Sequence, residues 1–170
     1  LADHATQPLQ REPLLVFRSL DGGSTWSETP VTLGTGHDRP MLVADRSRAD
    51  RRGWFYLVSS RSIRGEGGAP REAVFVVRSR NGGQTFDEPR ALTPNNLVLR
   101  AEPPVVARDG TLVIHYVEAG QHVDGPRPQR ELLRRRAFVL HSHDGAATFS
   151  APRFVTEACG PPGFATAALV

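Results

Sequence analysis

The chain has 170 residues, 23% charged and 39% hydrophobic, which suits one ordinary globular core. No apolar run approaches the ~20 residues of a membrane-spanning helix, so no membrane span is expected, and the opening Leu1-Ala2-Asp3-His4 carries no signal-peptide pattern. The net charge of +3 rests on 21 basic residues that are all Arg and are scattered among 18 acids, so no nucleic-acid partner is expected; the single Cys159 excludes an internal disulfide and a thiolate metal cage.

From the N-terminus, the first β-rich run is Pro13–Phe17. The octet Ser19-Leu20-Asp21-Gly22-Gly23-Ser24-Thr25-Trp26 follows, and then a short partner run, Thr29–Leu33. Met41–Asp45 and Trp54–Val58 form a second pair of runs. Ala73–Val77 leads into another octet, Ser79 to Phe86 with Asn81, Gly83 and Thr85, and on to Glu88–Leu92. Val105–Arg108 and Thr111–Val117 flank Asp109-Gly110, a tight-turn signal. Ala137–Leu140 precedes the third octet, Ser142-His143-Asp144-Gly145-Ala146-Ala147-Thr148-Phe149, and Ala151–Val155 follows it. Only Gln129–Arg136 hints at helical periodicity, and Phe164–Val170 reads as the first strand of a further unit.

Three octets roughly 60 residues apart mark one supersecondary unit used repeatedly. Each octet joins two β runs as a hairpin, and the pair of runs upstream completes a unit of four antiparallel strands, here lettered A to D. The expected fold is all-β, a β-propeller of four-stranded blades. A seven-stranded sandwich is the rival, but it leaves identical turns at equal spacing unexplained. The boundaries expected are 1–36 for the end of one blade, 37–96 and 97–157 for two full blades, and 158–170 for the start of the next. About two full blades fall short of a ring, so the remaining blades are expected from a missing part of a longer chain, self-assembly being the other route.

Within the octet, Asp21, Asn81 and Asp144 are expected to accept hydrogen bonds from backbone amides just beyond them, while Gly23, Gly83 and Gly145 allow positive φ. Ser19, Ser79, Ser142, Thr25, Thr85 and Thr148 can bond the same backbone, and Trp26, Phe86 and Phe149 are expected to plug the turn from beneath. A calcium loop needs several oxygen ligands, whereas each octet offers at most one carboxylate followed by Gly; no metal is assigned, and no cofactor.

The pattern Ser-x-Asp-x-Gly-x-Thr-Trp/Phe resembles the Asp-box, or bacterial neuraminidase repeat, of the sialidase-like β-propeller superfamily. The resemblance spans essentially the whole chain and implies a six-bladed ring in an extracellular or periplasmic protein. It implies an exo-glycosidase acting on sialic acid or a related terminal sugar, or a non-catalytic propeller that binds a glycan or protein. Asp-boxes also occur in other glycosidases, sorting receptors and assembly factors, so an inert scaffold is a third reading. In such propellers the octets mark one face and the glycan pocket lies on the other. Candidate substrate-binding residues therefore come from the D–A and B–C loops: His37, Asp38, Arg39, Arg100 and Glu102 from the former, Arg61 from the latter, with Arg64, Glu66, Glu118 and His122 nearby. Sialidases hold the sugar carboxylate with three arginines, use an aspartate as acid/base and a glutamate-assisted tyrosine as nucleophile. Arg39 lies near the family's first arginine, although here Arg directly precedes Pro40, and Arg100 precedes Pro103 by three. Asp124 falls in the kind of loop that carries the acid/base. Tyr56 and Tyr116 lie within expected strands, where a packing role is expected instead.

Overall fold

The computed structural model describes residues 12–47, 50–64, 70–93, 98–119 and 133–160. All its regular elements are strands, in three open antiparallel sheets that follow one another along the chain. Among the described residues no helix is long and apolar enough to cross a membrane.

The first sheet is the ribbon β1 (Pro13–Val16) and β2 (Val31–Thr35). The second is a meander of β3 (His37–Ala44), β4 (Phe55–Arg64), β5 (Pro70–Ser79) and β6 (Arg90–Ala91). In the third, β7 (Val98–Ala101) and β8 (Val105–Val106) share one edge of β9 (Leu112–Ala119), and Pro103 and Pro104 interrupt them where amide donors are missing. Beyond β9 lie β10 (Leu133–Ser142) and β11 (Arg153–Gly160). Each octet joins an antiparallel pair: β1 to β2, β5 to β6, and β10 to β11.

The uninterrupted apolar run Ala73–Val77 in β5 is explained by its position, because this strand is buried on both faces. Val74 and Val76, with Tyr56 and Val58 of β4, face Leu99, Leu112, Ile114, Tyr116 and Leu140 of the third sheet. Val77 and Leu57 face the other way, onto Leu33 with Leu14, Val16 and Val31 of the first sheet. Each fully buried Leu or Ile contributes on the order of 1.5–3 kcal/mol, so the first of these layers supplies most of the cohesion.

Several expectations change. Residues Leu133–Arg136 of the supposed helical stretch are the start of β10, because their backbone forms a ladder with β11 and, from Arg135 on, with β9. His37, Asp38 and Arg39 are not in a loop but within β3: Gly36, at φ 78°, alone turns the chain from the first sheet to the second. β3 is an edge strand, so Pro40 omits an amide without breaking a ladder, and a bulge between Asp38 and Met41 holds Arg39 at φ 51°. Arg61 lies inside β4 and Arg100 inside β7. The ladders run past the apolar segments because the buried hydroxyls of Ser59 and Ser60 find hydrogen-bond partners. Trp26 is 59% exposed rather than a buried plug, although its ring lies beside Gly23, whereas Phe86 and Phe149 do pack on the core layers. Phe164–Val170 lies outside the described residues.

Candidate functional site

The octets build the same turn three times. The Ser19 hydroxyl donates to Asp21 Oδ1 at 2.8 Å and accepts from the Gly23 amide at 2.7 Å. Asp21 accepts the Thr25 amide at 2.9 Å and the Thr25 hydroxyl at 2.7 Å. In the second copy Asn81 Oδ1 accepts the Thr85 amide at 3.0 Å while its carboxamide N–H donates to the Thr85 hydroxyl at 2.9 Å. In the third, Asp144 accepts from the Thr148 amide at 2.8 Å and from its hydroxyl, and Ala146, at φ 66°, occupies the place of the second glycine. The Thr25 hydroxyl, the Thr25 amide and Ser19 hold the Asp21 carboxyl down at about 2, and the Thr148 hydroxyl, the Thr148 amide and Ser142 lower Asp144 likewise. These carboxylates are saturated by their own turn, which makes them structural anchors.

Arginines outside the octet motif bind the third octet to the second sheet. Arg78 donates to the Gly145 carbonyl at 2.6 Å, Arg51 to the His143 carbonyl at 3.0 Å, and Arg90 to the Ala147 carbonyl at 2.5 Å. Arg78 also pairs with Asp87 at 2.7 Å and lies over the Trp54 ring. Nothing in the octet pattern signals these residues. Arg78 does directly precede Ser79, as Arg18 precedes Ser19.

The opposite end of the sheets holds most of the expected site residues. Register places His37 opposite Arg61, and Arg61 opposite Ala73, six residues along β4 and β5 from the Phe55–Ser79 pair at the octet end. The His37 ring bridges two sheets: Nε2–H donates to the Leu33 carbonyl at 2.9 Å, which leaves Nδ1 to accept the Ser59 hydroxyl at 2.7 Å. Burial lowers its pKa, the bond to Leu33 pulls the other way, and Arg61 adds to the lowering. Arg61 itself lies over the Phe75 ring.

Across the seam to the third sheet, two side chains satisfy the β7 amides that face the second sheet. Glu72 Oε2 accepts from Leu99 at 3.0 Å, and the Ser60 hydroxyl accepts from Ala101 at 2.8 Å. Burial raises the Glu72 pKa; the Leu99 amide opposes this, Asp38 pushes it further up, and Arg100 draws it back. Glu72 thus feels the charges of Asp38 and Arg100, which with Arg39 are exposed. A carboxyl with a raised pKa, acted on by a second carboxylate and an exposed guanidinium, is suited to proton transfer and to holding an anion.

Glu102 does not join this group. Its amide donates to the His115 carbonyl at 3.1 Å, and its carboxylate raises the pKa of the half-buried His115 ring, which burial lowers by more. Tyr56 and Tyr116 are packed in the core, and burial raises both phenols, Tyr116 to about 12. Asp124, Glu66 and His122 lie outside the described residues. Sequence reasoning missed Glu72 and Ser60; the one available signal was that each breaks or precedes an apolar strand run at the end away from an octet. Among the described residues no three His, Cys, Asp or Glu side chains gather as metal ligands would.

No family model matches this chain, and no curated protein matches it.

Proposed function

We propose that the chain is part of a sialidase-like Asp-box β-propeller, with each four-stranded sheet a blade, and that its face away from the octets receives an acidic sugar. The activity inferred for that face is exo-hydrolysis of sialic acid or a related terminal sugar. What carries the reading is the division of labour between the two ends of the sheets. Three like turns, two of which consume their own carboxylates, stand at one end, while at the other Asp38 and Arg100 act on Glu72, whose pKa burial raises. Arg100 and Arg39 are the groups available for a sugar carboxylate, and Glu72 is the group available for proton transfer. The remaining blades complete the ring and supply the rest of the site.

One observation favours a second reading, a glycan-binding propeller without hydrolysis: both described tyrosines are buried, at 0% and 3% exposure, and neither can reach a sugar. Turnover of a fluorogenic sialoside by the protein separates the two. Hydrolysis that falls at least tenfold in Glu72→Gln, with KM raised in Arg100→Ala, supports the enzyme. Binding of sialyllactose without turnover, weakened by Arg100→Ala, supports the lectin-like reading. Neither turnover nor binding removes the acidic-sugar proposal.

A further inference from the structure

The second octet differs from the other two at its third position. Asp21 and Asp144 are each followed by glycine, and so is Asn81, which makes Asn81-Gly82 the one Asn-Gly pair in the chain. An asparagine side chain in this position is open to attack by the next residue's backbone nitrogen, because glycine puts no Cβ in the path. What surrounds the two groups decides whether the attack proceeds in the fold.

Here the surroundings are open on the attacking side and electron-withdrawing on the other. Asn81 is exposed, and a Cβ placed on Gly82 would meet nothing within 4 Å. The Gly83 and Thr85 amides donate to Ser79 Oγ and Asn81 Oδ1, at 2.9 and 3.0 Å, whereas the Gly82 amide donates to no described group. Asn81 Oδ1 takes a second donor, the Ser79 hydroxyl, at 3.1 Å. Two donors on that oxygen draw electrons from Cγ and stabilise the negative charge that builds there during attack. Asn81 Nδ2 donates to Thr85 Oγ1 at 2.9 Å, so a hydroxyl stands beside the nitrogen that must leave with an extra proton.

The octet also favours one product. An aspartate at position 81 puts a carboxylate oxygen where Nδ2 stands. The Thr85 hydroxyl then turns from acceptor to donor, as the Thr25 and Thr148 hydroxyls already donate to Asp21 and Asp144. Charge-assisted hydrogen bonds of this kind are roughly twice as strong as neutral ones. The isomeric product, linked through the side chain, adds Cβ to the backbone path and spoils the spacing on which the Ser79–Gly83 and Asn81–Thr85 bonds depend.

We propose that Asn81 is a self-modification site, converted in the folded protein to the aspartate that the other two octets encode. The Gly82 nitrogen bonds to Asn81 Cγ and gives up its proton. The Cγ–Nδ2 bond breaks, and ammonia departs with that proton, leaving a cyclic imide. Water, the only co-reactant, then adds at Cγ and breaks the new Cγ–N bond. The Gly82 N–H is restored, and the carboxyl group releases a proton to solvent. One carboxamide has become one carboxylate, and the formal net charge of +3 falls by one. The modification belongs to the octet end of the sheets and does not rest on the acidic-sugar reading.

The test ages the folded protein in mildly alkaline buffer beside a free peptide of residues 79–86 and follows both by peptide mapping. The expected result is a gain of about 1 Da in the fragment that holds Asn81, at a rate within tenfold of the free peptide's. That fragment should co-elute with the one from Asn81→Asp, and the Thr85 amide should acquire the acid response of Thr25. Asn81→Gln should abolish the gain. The proposal is overturned if the folded protein keeps its carboxamide while the peptide converts, if the side-chain-linked isomer predominates, or if the mass gain survives in Asn81→Gln. Conversion that rises in step with the unfolded fraction as urea is added would make it a property of the open chain, and would overturn it equally.

Discussion

The two faces of β4 and β5 meet unequal neighbours. Toward the third sheet, eleven buried side chains from both partners form one layer, and Arg51, Arg78 and Arg90 fasten the octet above it. Toward the first sheet the cluster is smaller, with Leu33, Leu57 and Val77 buried and Leu14, Val16, Val31 and Phe86 partly so, and Leu42 remains half exposed. The residues are not to blame, for Leu57 and Val77 are as apolar as Tyr56 and Val76. A repeat unit contributes two apolar faces, and each reaches full burial only against a neighbour that brings its own inner strands. The filled seam also carries the charged mouth of the candidate site, where Glu72 and Ser60 hold β7 in place.

Glycine substitution breaks this comparison most sharply. Gly145→Ala puts a Cβ into Trp54 and Arg51 at φ +71°, combining a left-handed backbone penalty of ~1–2 kcal/mol with overpacking of ~1–3 kcal/mol. The expected loss is about 3 kcal/mol in urea unfolding, measured at constant m. Gly82→Ala has φ +68° but open space, so the backbone penalty acts alone. Equal losses at the two sites would show that the second seam is no tighter than the first.

Next in size is the arginine that precedes each octet. Arg78→Ala removes a charged donor from the Gly145 carbonyl and a partner from Asp87, for an expected cost of about 2 kcal/mol. Arg18, whose side chain only lies against the backbone near Gly83, is expected to cost under ~0.5 kcal/mol when changed to Ala. A large Arg18→Ala effect would contradict the open first seam.

Parts of this organisation are legible in the sequence because they are local. Ser, Asp or Asn, Gly and Thr within seven residues suffice to specify the octet, since every bond in it spans four residues or fewer, and the hairpins on either side follow from it. Where hydroxyls replace aliphatic side chains, strand lengths are not legible: β4 continues through Ser59 and Ser60 only because His37 and the Ala101 amide, 22 and 41 residues away, complete their hydrogen bonds. Glu72 was invisible for the same reason, its partner Leu99 being 27 residues on. His37, Asp38 and Arg100 could be recognised as site candidates from their distance to the octets, but their placement on strands required the register.

Acid provides a smaller and more local test, internal to the octets. The Asp21 carboxyl sits at about 2 against an ordinary 3.8, and Asp144 is lowered too, chiefly by the Thr25 and Thr148 hydroxyls. A carboxyl depressed in the folded state stabilises fully above its unfolded value, and that contribution fades as the pH drops through the folded one. The Thr25 amide resonance should therefore move as the pH falls toward 2 and that of Thr148 at still lower pH, while Thr85, bonded to the non-titrating Asn81, stays put. Asp21→Asn should abolish the response at Thr25 and leave that at Thr148. A Thr85 shift of equal size would mean that the acid transition is global and not a property of the turn.

The smallest effect sits at the one octet position where the repeats disagree about glycine. Ala146 is held at φ 66°, so Ala146→Gly relieves ~1–2 kcal/mol of left-handed strain. Against this, its methyl is 7% exposed and part of the filled seam, worth ~0.8 kcal/mol of burial. The added freedom of glycine in the unfolded chain costs a further ~0.4–1 kcal/mol. The opposing effects nearly cancel, and the expected change is within ~0.5 kcal/mol of zero. Gly83→Ala has no such compensation, because its Cβ would touch only an arginine stem at 3.8 Å, and it should lose the full backbone penalty. A stabilisation above ~1 kcal/mol in Ala146→Gly would mean that the methyl adds nothing to the seam. The alanine would then be strain without return, and the filled seam would owe its strength to the arginines and the large side chains alone.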